Sequence, residues 1–287
     1  MKHAWVLLGV MAVASCAPAA KPHYELGRPY QVRGVWFYPG ENYNLDDTGL
    51  AAVYGAGHAS LTADGEVFDQ SVVMAGHPTI QLPAVARLTN LENGRSILVR
   101  INDRGVGNPG RLVDVTRRTA TLLGMRDGGA TRVHLHVLPA ESRAATDALP
   151  GRPQLAVAAA PRGAVVATDL APPAGALAAP NQVRTVSSPA TAAETPVSVA
   201  RLPETVTQGQ ANPGRLWLRL DTFEEYHYAV AQRARMSYPG ATIDRSFDGR
   251  VHRYWVRIGP LDTVRQADDT LNDAFARGIP DARIVVE

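Results

Sequence analysis

The turn Asn102-Asp103-Arg104-Gly105 puts a carboxylate, a guanidinium and a glycine together at the end of the apolar run Ser96 to Ile101. Loops carried by rigid strands are where binding and catalytic groups concentrate, and a carboxyl placed there can give or take a proton. The same residues also suit a plain turn, because Asp caps nearby backbone and Gly accepts positive φ. Other chemistries find less support. Gly105-Val106-Gly107 lacks the Gly-Lys-Ser ending of a phosphate loop. His134 and His136 share a strand face but lie far in sequence from the acidic turn, and no His-x-x-x-His pair is present, so neither a metal nor a cofactor is expected. One cysteine, Cys16, excludes iron–sulfur clusters, zinc ribbons and a disulfide framework.

The elements that must position this turn come from a chain of 287 residues, 45% hydrophobic and 20% charged, long enough for two small domains. A formal net charge of +2 gives no reason to expect nucleic acid as a partner. Lys2 and His3, the apolar run Ala4 to Val13 and the small residues before Cys16 form a secretory signal, too short to span a bilayer comfortably. Val13-Ala14-Ser15-Cys16 resembles a bacterial lipobox. That implies a signal peptide over 1–16, lipid on Cys16 and attachment to a membrane. Ala17, where an aspartate would favour retention at the inner membrane, leans toward the outer one. A plain signal peptide with an incidental cysteine is the alternative.

Residues 24–138 read as a first domain of many short strands: Val32 to Tyr38, Val72 to Met74, Ala84 to Leu88, Ser96 to Ile101, Arg111 to Val115 and Thr131 to Val137. The one clear helix is Thr116 to Leu123, with Thr116 as N-cap and Gly124 as stop. Mainly β structure with few helices suggests a small barrel. Residues 139–212 are rich in Ala, Pro, Val, Thr, Ser and Gly. They read as a disordered linker with a span of about 45 Å as a flexible coil. Residues 213–287 show strand and helix patterns in the order βαββαβ, a ferredoxin-like α+β domain. Its pieces are a strand through Leu220, a helix from Thr222 to Ser237 opened by a Thr222/Glu225 capping box, strands at Ala241 to Phe247 and His252 to Ile258, a helix from Asp262 to Arg277, and a strand at Ala282 to Val286.

Within the first domain, Thr62-Ala63-Asp64-Gly65-Glu66, Phe68-Asp69, Ala75-Gly76-His77-Pro78-Thr79, Leu82-Pro83, the stretch Val85 to Arg100, Asn102-Asp103-Arg104-Gly105 and Arg111 to Thr116 follow one another in an order that resembles the rare lipoprotein A family. The resemblance covers about residues 27–138. It implies a double-psi β-barrel and a septal peptidoglycan lytic transglycosylase. The family's acidic and histidine positions fall on Glu66, Asp69, His77 and Asp103. The implied chemistry suits a carboxyl. A carboxylic acid with a raised pKa protonates the leaving glycosidic oxygen. The C6 hydroxyl of the muramic acid then closes a 1,6-anhydro ring, so one residue acts first as acid and then as base. Asp103 is the expected acid/base, and Arg104 is expected to point away from it. Glu66 and Asp69 would act on Asp103 by like charge or steady an oxocarbenium-like transition state, and His77 would orient a carboxylate or the hydroxyl. Asp114 reads as structural. The chain departs from the family at Ala52 and Val53, where Ser and Trp are usual, and at Val106-Gly107 after the acidic turn.

The last domain resembles a sporulation-related (SPOR) domain through Leu218 to Phe223 and Tyr254-Trp255-Val256-Arg257-Ile258-Gly259-Pro260. That resemblance implies binding to peptidoglycan glycan strands lacking stem peptides. Alternation puts Leu216, Leu218, Leu220, Tyr254, Val256 and Ile258 inward and Trp217, Arg219, Trp255 and Arg257 outward, where indoles and guanidiniums suit sugars. The whole reads as an endolytic lytic transglycosylase acting on naked glycan in cell division, lipid-anchored in the envelope and enriched at the septum, with divisome proteins as possible partners. Two rivals stand beside it: a non-catalytic septal glycan-binding lipoprotein, and an expansin-like loosener that breaks no bond.

Overall fold

The computed structural model describes residues 19–126, 128–147, 149–152 and 201–287. Cys16 with its signal segment, and 153–200 of the expected linker, lie outside the described residues. In chain order the first part contains β1 (Tyr30–Val32), β2 (Val35–Phe37), β3 (Asp46–Val53), β4 (Met74–Gly76), β5 (Ala84–Asn90), β6 (Arg95–Asp103), β7 (Val113–Val115), α1 (Arg117–Leu123), β8 (Thr131–Val137), α2 (Pro139–Asp147) and β9 (Thr207–Gln208). Period-two patterning sets the strands. In β8, Thr131, Val133, Leu135 and Val137 are buried and alternate with half-buried Arg132, His134 and His136.

Strands β4-β7-β3-β8-β5-β6 run side by side, and β4 pairs with β6 to close the ring. Two of these pairs are parallel, β3 with β7 and β4 with β6. This is the six-stranded double-psi barrel that the resemblance implied. Its interior holds Leu82, Leu88, Ile97, Ile101, Leu123 and Leu135, all essentially without solvent contact. Each such side chain contributes about 1.5–3 kcal/mol relative to an exposed one. Helix α1 begins and stops as expected: the Thr116 side chain accepts from the Thr119 amide, and Gly124 takes the left-handed conformation.

Several details differ from the sequence reading. The expected strand Val32 to Tyr38 is a hairpin, β1–β2, folded at Arg33-Gly34, both at positive φ. Strand β3 has no counterpart among the expected strands. The stretch 139–212 has ordered ends. Helix α2 packs on β5, where the Ser142 hydroxyl both donates to the Val85 carbonyl and accepts from its amide, 3.0 Å each. Strand β9 adds to the start of β6.

The second part contains β10 (Leu216–Phe223), α3 (Tyr226–Met236), β11 (Thr242–Phe247), β12 (His252–Leu261), α4 (Val264–Ala276) and β13 (Arg283–Val286), in the order βαββαβ with sheet order β11-β12-β10-β13. The Thr222/Glu225 capping box does not form. Strand β10 runs on through Phe223 because Thr222 pairs with Trp255, and Glu225 precedes α3 without a side-chain cap bond. Both parts belong to one compact unit. Thr48 of β3 donates to the Val286 carbonyl (2.6 Å) and accepts from its amide (3.0 Å), while Arg111 grips Asp268 of α4 with two hydrogen bonds. Among the described residues no helix is long and apolar enough to cross a membrane.

Candidate functional site

Strand β6 ends at Asp103, and β4 lies beside it in register, Gly76 against Asp103. On its other side Gly76 pairs with Asp114 of β7. The two acids therefore flank a residue with no side chain. A Cβ on Gly76 would stand 2.0 Å from the Tyr54 hydroxyl and 2.6 Å from the Gly105 amide nitrogen. That bare position leaves room for Tyr54, which follows β3, to reach Asp103.

Asp103 is 5% exposed, and both of its carboxylate oxygens accept hydrogen bonds. Oδ2 accepts from the Tyr54 hydroxyl (2.8 Å) and the Gly105 amide (3.0 Å), and lies 3.1 Å from His58 Nε2. Oδ1 accepts from the Ala63 amide at 2.9 Å. Burial, then the Asp103 charge, pushes the Tyr54 phenol far above its ordinary range, so it remains a donor. His58 is held by stacking on Phe68 at 3.9 Å and by an edge contact to Tyr54 at 5.0 Å. Its Nδ1 lies 3.0 Å from the Ala59 carbonyl. Both ring nitrogens thus face oxygens. Arg104 turns away from Asp103, its guanidinium donating to the carbonyls of Ile80 (2.5 Å) and Leu26 (2.7 Å).

Asp114 sits beside this cluster, also 5% exposed. Its Oδ2 accepts from the Val106 amide at 2.8 Å, and its Oδ1 is buried without a partner. Burial pushes this acid up to about 6, with the Asp103 charge adding to it and the Val106 amide, Arg111 and His58 opposing.

The other expected residues occupy different surroundings. Glu66 is ion-paired with Arg100, whose Nε and terminal nitrogen donate to Oε1 at 2.8 and 2.6 Å, and Asn102 Nδ2 donates to Oε2 at 2.8 Å. Arg100 and Asn102, two apart on β6, both reach Glu66 from that strand. Asp64, fully buried beside Glu66, is pushed up to about 8 by burial and then by the Glu66 charge. His77 donates its amide to the Asp103 carbonyl (2.9 Å), but its buried ring accepts from the Thr79 and Ile80 amides through Nδ1. Burial and Arg104 hold its pKa down to about 3, so the ring is neutral. Asp69 is exposed and caps its own turn, accepting from the Ser71 amide and hydroxyl, which lower its pKa. The structure thus joins Asp103 to Tyr54 and His58, sets Asp114 across Gly76 from it, and joins His77 to it through the backbone. Neither Glu66 nor Asp69 hydrogen-bonds to it. Tyr54 and His58 were not among the expected site residues. The only local signal for them is two proton-bearing rings in the five residues after an apolar run.

A groove of about 540 Å³ runs past His77, Pro78 and Thr79, with Trp36 and Tyr38 of the first hairpin, Arg111, and Phe275 and Arg283 of the second domain along its walls. Among the described residues no group of three or more His, Cys, Asp or Glu side chains is arranged to hold a metal; His134 and His136 both hydrogen-bond or ion-pair to Asp46 instead. On the second domain, Leu216, Leu218, Leu220, Val256 and Ile258 are buried, and Trp217, Arg219, Trp255 and Arg257 are half-buried on the opposite face. Each indole there carries a guanidinium: Arg257 over Trp217 at 4.2 Å and Arg219 over Trp255 at 4.3 Å. Arg257 is also ion-paired to Asp244 (3.0 Å) and Glu287.

Residues 46–135 match the family model described as lytic transglycolase. A protein of Pseudomonas aeruginosa named endolytic peptidoglycan transglycosylase RlpA is 30% identical over 287 residues, covering 94% of this chain and 80% of that protein. Proteins of the same name align over a shorter stretch: from Yersinia pestis, 37% identical over 122 residues, 40% of this chain and 34% of the relative; from Rickettsia felis, 32% over 126 residues, 42% of this chain and 55% of the relative. In the four Rickettsia relatives the matched region spans between 39% and 56% of their length.

Proposed function

Because the chain belongs to the endolytic peptidoglycan transglycosylase RlpA family, we propose that it cleaves the bond between N-acetylmuramic acid and N-acetylglucosamine in glycan strands lacking stem peptides, leaving 1,6-anhydro ends. The observation that carries this is the buried carboxyl of Asp103, held in place by Tyr54, Ala63 and Gly105 at the end of a barrel strand. Asp103 donates a proton to the leaving glycosidic oxygen as its bond to C1 breaks. The resulting carboxylate then takes the proton of the C6 hydroxyl as O6 bonds to C1. No water is consumed, and Asp103 ends protonated as it began. Tyr54 and the backbone amides hold the carboxyl in one orientation, since catalytic geometry must be kept to a fraction of an ångström.

The roles expected of Glu66 and Asp69 change with their surroundings. A carboxylate gripped by Arg100 and Asn102 ties the 62–66 hairpin to β6, so Glu66 supports the Ala63 amide that reaches Asp103. Asp69 shapes its turn. Neutral His77 fixes the 77–80 segment along the groove. The second domain holds glycan on the face of Trp217, Arg219, Trp255 and Arg257, and lipid on Cys16 retains the protein at the periplasmic face of an envelope membrane, near the septum.

The test is mass spectrometry of peptidoglycan digested by the full chain. Anhydro ends are expected from wild type and at most traces from Asp103→Asn. No anhydro product from wild type overturns the activity; weakened sacculi without new ends would identify a bond-sparing loosener. Membrane fractionation of Cys16→Ser checks the anchor, which is refuted if that variant still sediments with membranes.

A further inference from the structure

Alternation on the first hairpin leaves two aromatic rings in water. Trp36 is 47% exposed and Tyr38 62%, while Phe37 between them stacks on Tyr30. The exposed indole and phenol stack on each other, with 6.4 Å between centroids and 28° between planes. The hairpin is held to the barrel where the Tyr30 hydroxyl donates to the Pro78 carbonyl at 2.9 Å. Both exposed rings line the groove of about 540 Å³, which reaches from the 77–79 segment to Arg283 of β13. Exposed apolar groups rimmed by polar ones mark interaction sites, and flat ring faces suit the C–H faces of sugars.

The far wall carries the groove onto the sheet of the second domain. Arg283 is the register partner of Arg219, and Arg219 is that of Arg257. Cross-strand partners project from the same face. Three guanidiniums therefore form a row across β13, β10 and β12, on strands about 4.8 Å apart. The row starts in the groove and ends among Trp217 and Trp255. Along it, Arg219 Nε and Trp255 Nε1 are buried with no acceptor among the described residues. Arg283 meets the Asp47 carboxylate at 3.3 Å and stays exposed. Such a surface favours an anionic polymer that also offers flat apolar faces. Glycan stripped of its stem peptides is one, since each muramic acid then bears a free carboxylate. At its near end the groove reaches His77, whose amide donates to the Asp103 carbonyl. The Asp103 carboxyl does not line it, so the groove grips the strand and does not cut it.

Resting on the reading of peptide-free glycan as substrate, we propose that this groove is a glycan subsite. Trp36 and Tyr38 stack on sugars, Arg283 takes a muramic carboxylate, and one strand runs from the sheet face of the second domain across the seam to the 77–79 segment beside Asp103.

The test is calorimetric titration of the full chain with peptide-free glycan, in an Asp103→Asn background so that no strand is cut. Trp36→Ala/Tyr38→Ala is expected to weaken binding about tenfold with an unchanged unfolding midpoint, and Trp36→Phe/Tyr38→Phe to keep most of the affinity. Arg283→Gln is expected to weaken binding by a similar factor. Asp47→Asn breaks the same ion pair but leaves the guanidinium, and is expected to keep the affinity. On glycan whose carboxylates are reduced to alcohols, Arg283→Gln and its parent are expected to bind alike. Unchanged affinity in the aromatic double variant, equal losses in Arg283→Gln and Asp47→Asn, or an Arg283 effect that survives carboxyl reduction overturns the proposal. If wild type makes no anhydro product, the proposed activity fails by itself, because this binding needs no cleavage. If the parent binds no peptide-free glycan, substrate and subsite fall together.

Discussion

Replacing Gly76 with alanine tests the architecture that brings Tyr54 to Asp103. The added methyl would stand 2.0 Å from the Tyr54 oxygen, 2.6 Å from the Gly105 nitrogen and 2.9 Å from the Gly105 Cα. Heavy atoms attract only beyond about 3.5 Å, so the phenol must retreat by more than 1 Å and release the carboxylate. Overpacking of this kind costs about 1–3 kcal/mol, and losing a hydrogen bond to a charged group costs about 1.5–3 kcal/mol. For a combined loss of about 3 kcal/mol, the unfolding midpoint falls by roughly 6–12 °C. A misplacement of about 1 Å at the reacting group costs on the order of 100-fold in rate. Differential scanning calorimetry and anhydro-product release measure the two effects. Tyr54→Phe serves as the partner variant. It removes the atom in the closest clash, so in the double variant part of the stability returns, with a coupling of about 0.5–3 kcal/mol. Wild-type midpoint and rate in Gly76→Ala, or strictly additive losses in the double variant, would refute the reasoning.

Arg100→Ala leaves Glu66 as a buried carboxylate without its cation, held by Asn102 beside the Asp64 acid; a loss of about 3–5 kcal/mol is expected, with Arg100→Ala/Glu66→Gln recovering much of it in chemical denaturation. Asp64 gives a pH signature. Its pKa is pushed up to about 8 in the folded barrel against about 3.9 in the unfolded chain, so the folded state binds the extra proton and stability falls as pH rises through that window. Asp64→Asn is expected to flatten the decline in midpoint between about pH 4 and 8, and an unchanged slope would count against it. Trp255→Ala removes an indole and strands Arg219; peptide-free glycan binding by the full chain, followed by calorimetry, is expected to weaken at least tenfold with the barrel's midpoint unchanged.

Much of the scaffold was legible because its signals are local. Helix α1 carries its own start and stop in Thr116 and Gly124, and the alternation in β8, β10 and β12 names its buried face directly. Strand β3 was not legible, since Asp46-Asp47-Thr48-Gly49 has the composition of a turn. Pairing on both sides overrides that tendency, and Gly49 is needed where a Cβ would meet Leu112 at 2.8 Å. Thr222 and Glu225 looked like a capping box, yet pairing with Trp255 keeps Thr222 extended. Helix α2 lay hidden in an Ala- and Pro-rich run, because what fixes it is a distant hydrogen bond from Ser142 to Val85. At the site, the carboxylate of Asp103 could be read from its turn. Its partners Tyr54 and His58 could not, being 49 and 45 residues away.

The Thr48 hydroxyl gives one backbone hydrogen bond to Val286 and takes another from it, which is what a neighbouring strand would do. Strand β13 lies at the margin of its sheet and pairs with β10 alone. An open margin of this kind recruits further strands. One barrel side chain therefore acts as a stopper against self-assembly of the second domain, and that domain, cut free at Pro213, is expected to associate with copies of itself through β13 in analytical ultracentrifugation.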